Sequence, residues 1–396
     1  MIDIGRSNFL KYFLFGSLYF SEGLMIAITT FIIPFYLLEK GVSTPLTTLI
    51  VGIVNIPWIL KFVWGPIVDY FIRFGRKKFV IFGGVLAIFS MFGASFIDPS
   101  ISLIPFTILI FLGHVGIGFI DVSTDAWAID VSTEKDHGKI NGSMFSGQYT
   151  GWAIGSAFLG FVALNFGYNL AFFTNGLLIL VILIFPLFVK EIAKIKTKQK
   201  VALLLLIEFK KKTTQLTALF SPVVYLNTGM IMFMIPLYLK ISFDFDPAQG
   251  GLINAILPIS MVIGSVAGGI STDKWGRKLT LYLLLGFSAI FTAFLIFTDN
   301  WLNFAIIYGI IGFLMGGYET VVCALFMDVT NPRIGATQYG IFTGLANLGI
   351  NGIGMVAGSM VSSLGFARTF LYAGWVCGPA ILLLYFIKLK KHERVT

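Results

Sequence analysis

Twelve stretches of this chain are apolar over about 20 residues, the length an α-helix needs to cross ~30 Å of hydrocarbon. They run 9–38, 46–68, 79–97, 103–129, 140–164 and 170–189 in the first half. In the second half they run 218–239, 250–271, 279–298, 303–327, 336–363 and 369–387. Apolar residues make up 57% of the 396 and charged residues 12%. Soluble domains run near ~45–50% and ~25%. No soluble fold of this length could hide so much apolar surface, so the solvent is lipid. The expected fold class is an all-α integral membrane protein with twelve transmembrane helices in two pseudo-symmetric six-helix bundles.

The formal charge of +9 does not imply nucleic acid, because the basic residues sit in short loops between apolar runs. Membrane orientation explains them. Twelve crossings put both termini on one side. If that side is cytoplasmic, only Lys40, Lys240 and Arg368 fall outside and Lys61 within a helix, leaving 24 of the 28 Lys and Arg inside. The opposite orientation would put those 24 outside. Both termini are therefore expected in the cytoplasm, with the chain in the plasma or inner membrane. Residues 1–11 hold two basic residues and no small-residue cleavage site, so the first span is expected to be retained. Cys323 and Cys377 both fall inside expected helices, which suggests no disulfide framework and no metal cage. No metal and no cofactor is expected.

Between the halves, residues 190–217 carry eight lysines and one apolar run of nine residues, 201–209. That run is too short to span and is expected to be an amphipathic helix on the cytoplasmic surface. A disordered tether is the alternative. The expected domains are thus an N-terminal bundle, 1–189, a linker, 190–217, and a C-terminal bundle, 218–396.

Each half also carries one version of a charged loop. The first is Gly65-Pro66-Ile67-Val68-Asp69, then Gly75-Arg76-Lys77-Lys78; the second is Gly269-Ile270-Ser271-Thr272-Asp273-Lys274-Trp275-Gly276-Arg277-Lys278. Asp69 and Asp273 lie 204 positions apart. Glycine allows a neighbouring helix to approach closely. The aspartate can cap an opposing helix or pair with arginine, and the basic cluster anchors at anionic lipid. Gly65, Asp69, Arg76, Gly269, Asp273 and Arg277 are therefore candidates for a cytoplasmic gate. A plain positively charged turn is the bland alternative, weakened by the two matched copies.

On these residues the chain resembles the major facilitator superfamily over its whole length. The first copy departs from the compact form by three extra residues within Tyr70 to Phe74. A finer resemblance is to the peptide/acetyl-CoA/drug transporter family, which includes the AmpG-type muropeptide permeases. It is carried by Pro57-Trp58-Ile59-Leu60-Lys61-Phe62-Val63-Trp64-Gly65-Pro66-Ile67-Val68-Asp69, by Asp121-Val122-Ser123-Thr124-Asp125-Ala126-Trp127 and by Gly335-Ala336-Thr337-Gln338-Tyr339. The resemblance implies a solute transporter working by alternating access, with the first, fourth, seventh and tenth helices lining a central cavity. It does not fix a cargo.

Charges inside the spans are the candidate site. A charge at a helix centre costs ~2.5–3.5 kcal/mol on insertion scales, so each needs a reason. Glu22 sits in the first span, Lys61 in the second, His114, Asp121 and Asp125 in the fourth, and Glu319 in the tenth. Laid over each other at an offset of 198, the halves match Asp121 to Glu319 and Asp130 to Asp328. Asp130 and Asp328 are expected to be solvated or capping. Asp121 and Glu319 are expected to face each other across the cavity. Lys61 and Asp121 lie at similar depth, so an ion pair from Lys61 to Asp121 or Asp125 is expected. A carboxyl facing low dielectric can load and release a proton near neutral pH, which makes Glu22 and Glu319 the candidates for proton coupling. A glutamate merely hydrogen-bonded to a neighbouring helix is the alternative for each. His114 is weaker, since a lone histidine is more often packed. Trp58, Trp127, Tyr149, Trp152 and Tyr318 could stack on a solute, with Trp127 best placed.

Four acids against one fixed cation disfavour a polyphosphate cargo and favour a neutral, cationic or zwitterionic one. The leading expectation is proton-coupled uptake of a peptide-, sugar-peptide- or metabolite-like solute by a monomer. Proton-coupled drug or metabolite efflux is one rival, and a transporter-like sensor that binds without turnover is another. An intramembrane enzyme is disfavoured: His114, His137 and His392 are far apart and form no His-Glu-x-x-His. Nor does the chain contain a Gly-x-x-x-x-Gly-Lys-Ser/Thr loop for ATP.

Overall fold

The structure is a computed structural model and describes residues 7–131, 137–191, 201–298, 300–331 and 334–387; the side chains of Asp69 and Asp273 also lie outside the described residues. Ten apolar stretches of helix are long enough to cross a bilayer. Two local breaks bring the count to the twelve expected. The second span (α2, 44–70) is broken into Thr44–Val54, Ile56–Ile59 and Lys61–Tyr70, and so is not one continuous helix. The last stretch, Gly335–Trp375, is interrupted at Gly365, where φ is +78°. A side chain is disfavoured in that region, so glycine ends one helix and starts the next.

The first bundle holds α1 (Asn8–Glu39), α2, α3 (Arg76–Ala94), α4 (Leu103–Asp130), α5 (His137–Phe166) and α6 (Tyr168–Phe188). The second holds α7 (Lys212–Ser242), α8 (Pro247–Trp275), α9 (Arg277–Phe297), α10 (Trp301–Val329), α11 (335–364) and α12 (366–386). A separate helix, Val201–Phe209, lies between them. Its Glu208 is buried and accepts a hydrogen bond from Asn331 at 2.7 Å, tying it to the loop after α10.

Proline sets the irregularities that matter. Pro34 has no N–H for the Thr30 carbonyl, and the preceding turn of α1 widens to π-helix over Ile28–Ile32. Pro57 likewise cannot donate within α2. The break there is braced by the indole of Trp64, which donates to the Pro57 carbonyl at 2.9 Å.

In lipid there is little hydrophobic drive between helices, so close packing must hold them. Glycine provides it. A Cβ on Gly147 would stand 2.0 Å from the Gly16 carbonyl, and one on Gly23 2.0 Å from that of Gln148, fixing α1 on α5. The matching pair in the second bundle, α7 and α11, touches at Gly349 and Gly229, 2.0 Å and 2.3 Å by the same measure. Gly264 sets α8 against α10 at 1.8 Å.

The two charged loops perform one task twice. Arg76 pairs with Asp130 at the end of α4, Nε to Oδ2 3.6 Å. Arg277 pairs with Asp328 at the end of α10. Lys77 donates to the Leu187 and Val189 carbonyls at 2.9 Å, and Lys278 to that of Tyr385 at 3.2 Å. Each loop therefore lashes the last turns of two other helices of its own bundle. Asp130 is buried and ion-paired, not solvated or capping as the sequence suggested, because the Gly-Arg-Lys turn brings Arg76 to it; Asp328 is ion-paired too but stays exposed, in keeping with the solvated position expected. The face carrying these loops is called the motif face.

Every described hydrogen bond and ion pair between the bundles lies at mid-height or toward the opposite, far face. Thr44 meets Ser362 (2.6 Å), Thr48 donates to the Met355 carbonyl (3.2 Å), Asn254 donates to Ser156 (3.1 Å) and Lys240 pairs with Glu39 (3.2 Å). The described polar contacts thus clasp the bundles from mid-height to the far face. Nearby, Asp98 accepts from Lys40 and Ser100, which holds its carboxyl down at about 2, so this part of the far face keeps its charge in mild acid.

Two measurements check this frame. In a Cys-free background (C323A/C377A), T44C and S362C are expected to cross-link readily. Adding Gly251→Leu, whose Cβ would stand 2.2 Å from the Ser156 carbonyl across the clasp, is expected to abolish the cross-link by forcing the far face apart. In thermal unfolding, Arg76→Gln is expected to cost about 3–5 kcal/mol, since it strands a buried carboxylate, and Arg277→Gln about 0–1, its pair being partly exposed.

Candidate functional site

Glu22, Lys61, Asp121 and Asp125 gather in the first bundle, on one side of the central interface. On α1, Tyr19 and Glu22 stand three residues apart on one face. On α4, Asp121 and Asp125 are one turn apart. Lys61 opens the last segment of α2, immediately after the break at Leu60. Its Nζ lies 2.7 Å from Asp121 Oδ2, with the Lys61 side chain 20% and the Asp121 side chain 2% exposed. Glu22 and Asp125 are within electrostatic range of the same ammonium. The first bundle therefore sets three carboxyl groups around one cation.

Each acid has a different partner. Asp121 has Lys61. Asp125 is exposed and accepts the Tyr19 hydroxyl. Glu22 is fully buried; its Oε2 accepts the Gln148 amide at 2.9 Å, while Oε1 is buried with no hydrogen-bond partner among the described residues. Burying a carboxylate this way is costly unless it is neutralised.

The α2 break makes the geometry possible. Opening the helix at Leu60 leaves Lys61 Nζ 4.7 Å from the centre of the Trp58 ring, a cation–π contact. The Trp58 indole donates to His114 Nδ1 at 2.9 Å. From the other bundle, Asn347 on α11 donates to the Trp58 carbonyl at 3.1 Å. The segment carrying the cation is thus held by α4 and α11 together.

The second bundle contributes Glu319 on α10, which accepts the Tyr149 hydroxyl across the interface at 2.7 Å. One turn further on, the Cys323 thiol lies beside the Tyr225 and Tyr339 hydroxyls. Asp121 is paired within its own bundle while Glu319 bonds to the opposite one, so the two pseudo-equivalent acids point into the interior and have unlike partners.

The remaining candidates fall outside this cluster. His114 is fully buried and serves Trp58. Trp127, read from the sequence as best placed to stack on a solute, is fully buried, edge-on to Phe15 at 5.9 Å, because α1 and α4 close over it. Of the gate residues, Arg76 and Arg277 bind within their bundles, Gly65 approaches α4 only as near as Val122, where its Cβ would be 3.9 Å away, and Gly269 faces open space. The gate aspartates Asp69 and Asp273 lie outside the described residues. Among the described residues no group of His, Cys, Asp and Glu gathers as a metal site. The sequence reading missed Tyr19, Gln148 and Asn347. Only Tyr19 carried a signal, its three-residue spacing from Glu22; the others act across helix pairs.

Residues 15–224 and 217–396 match the model of the Major Facilitator Superfamily, and the chain belongs to that superfamily. It is 24% identical over 383 residues to the anhydromuropeptide permease of Escherichia coli K12, spanning 92% of this chain and 77% of the permease. It is 26% identical over 352 residues to multidrug resistance protein 2 of Bacillus subtilis, spanning 81% of each. The crystal structure of the nucleoside transporter NupG has the same fold, with a TM-score of 0.76, 14% identity and coverage of 95% of this chain and 98% of that one. The protein is a multi-pass membrane transporter of small solutes, similar to AmpG-type permeases, and not an enzyme.

The Lys61–Asp121 pair yields a double-mutant test. Lys61→Ala strands Asp121 and is expected to cost about 3–5 kcal/mol, whereas K61A/D121A removes both charges and is expected to be less destabilised than K61A alone. Thermal unfolding in detergent reads the order.

Proposed function

We propose that this chain is a proton-coupled permease that takes up a small zwitterionic or cationic solute of peptide-, sugar-peptide- or metabolite-like chemistry by alternating access. The observation that carries this proposal is the Lys61–Asp121 ion pair, with an exposed Asp125 one turn away on the same helix. A carboxylate on the cargo would compete with Asp121 for Lys61, and a cargo ammonium would be drawn to Asp125 and Glu319. Either exchange breaks the pair that holds α2 to α4. Glu22 is the group we assign to the proton: it is enclosed, one oxygen lacks a partner among the described residues, and the Lys61–Asp121 pair is in range. Protonation is the only way to neutralise it without a second cation. Glu319 would sense the change from the opposite bundle through Tyr149.

In this proposal the motif face is cytoplasmic, as the lysine and arginine bias favours, and the structure is an inward-open state. The bundles, 1–189 and 218–396, rock about the site, joined by 190–217, and the monomer suffices. His114 and Trp127 act by positioning Trp58 and α1. The likeness to an anhydromuropeptide permease supports uptake and a sugar-peptide cargo. The likeness to a multidrug resistance protein keeps efflux as the second reading. A sensor that binds without turnover predicts no flux in liposomes.

Vesicles test the proposal. Under an imposed pH gradient, accumulation is expected in right-side-out vesicles and not in inverted ones; the reverse means efflux. Glu22→Gln is expected to abolish gradient-driven accumulation while leaving cargo counterflow. Lys61→Ala and Asp121→Asn are each expected to lower transport about 10- to 100-fold, the worth of one charge-assisted bond. Full transport by both variants sinks the proposal.

A further inference from the structure

The three residues by which the first charged loop exceeds the second build a feature of their own. They extend the chain beyond Asp69 into a short 3-10 turn, Ile72–Phe74. Phe71 and Phe74 from this loop, with Ile67 on α2, Phe79 and Phe82 on α3 and Phe119 on α4, enclose a groove of about 370 Å³ on the outer wall of the first bundle; Lys78 stands at its mouth. Phe82 is 54% and Phe74 44% exposed. The groove floor, Phe119, lies eleven residues before Asp130, about 16 Å into the membrane at helical rise.

Two cations flank the mouth. The Arg73 guanidinium sits 4.8 Å and the Lys78 ammonium 5.6 Å from the centre of the Phe74 ring. Among the described residues, neither pairs with a carboxylate. Their neighbours in sequence are committed elsewhere, Arg76 to Asp130 and Lys77 to the end of α6. The compact loop of the second bundle has only Lys274 and Trp275 between Asp273 and Gly276 and no such aromatic wall.

We propose that this groove is a binding site for an anionic phospholipid of the leaflet at the motif face. One acyl chain lies along Phe71, Phe82 and Phe119, and the phosphate bridges Arg73 and Lys78. Charge complementarity selects the occupant. An apolar wall facing lipid needs only hydrocarbon, but two uncommitted cations held over one ring at headgroup depth need an anion attached to a chain. The bound lipid would brace the α2–α3 loop, and so the lash that Arg76 and Lys77 make. This inference stands apart from the cargo proposal and does not depend on it.

Thermal unfolding of the purified full chain in detergent tests it. Added phosphatidylglycerol is expected to raise the midpoint by several degrees more than phosphatidylcholine does, because binding to the folded state stabilises it by mass action. The double variant R73Q/K78Q is expected to lose that difference. K139Q/K274Q, which removes two exposed cations elsewhere on the same face, is expected to keep it. The proposal is overturned if the two lipids act alike in the wild type, if glycerol 3-phosphate alone reproduces the effect, or if K139Q/K274Q loses it as fully as R73Q/K78Q.

Discussion

The structure depends on backbones brought into contact by glycine. In hydrocarbon, apolar side chains gain little by leaving lipid for one another, so helices associate through dense packing. Gly147 on Gly16, Gly349 on Pro222 and Gly264 on Phe313 each place a carbonyl where a Cβ would collide. These contacts fix α1 on α5, α7 on α11 and α8 on α10 rigidly enough for each bundle to carry a polar interior. Without such a frame, four acids and a lysine could not be held at fixed heights.

On that frame the charged loops act as lashings more than as a bolt between bundles. Each binds the ends of two helices in its own half, and the environments differ: Arg76 and Asp130 are almost wholly enclosed, whereas Arg277 and Asp328 are partly open. The clasp between bundles is built from other material at the far face, from hydroxyls, small residues and the Glu39–Lys240 pair. Rigid halves joined at one face are the mechanical condition for exposing a central site to one side at a time.

The site itself is asymmetric within a pseudo-symmetric chain. Asp121 and Glu319 occupy equivalent positions, yet among the described residues only the first has a cation, because α2 carries Lys61 at that depth while α8 has no lysine or arginine before Lys274. The break in α2 places Trp58 between His114 and Asn347, so the segment bearing the cation answers to both bundles. A local defect in one helix thereby links the charge cluster to the interface that must move.

By itself the sequence determined the solvent, the twelve spans, the two-fold repeat and the shared depth of Lys61, Asp121 and Asp125, leaving open which carboxylate Lys61 meets. All four follow from local apolar length, from matched motifs or from depth counted along a helix, and these survive without tertiary information. It misjudged Trp127 and Asp130, whose surroundings are supplied by α1 and by Arg76. Tertiary structure alone decided that Glu22 meets Gln148, that Glu319 bonds to Tyr149 across the interface, and which face is clasped. Those outcomes depend on how helices rotate and cross, which is set by glycine contacts between segments 49 to 131 residues apart. No periodicity within a single span encodes that rotation.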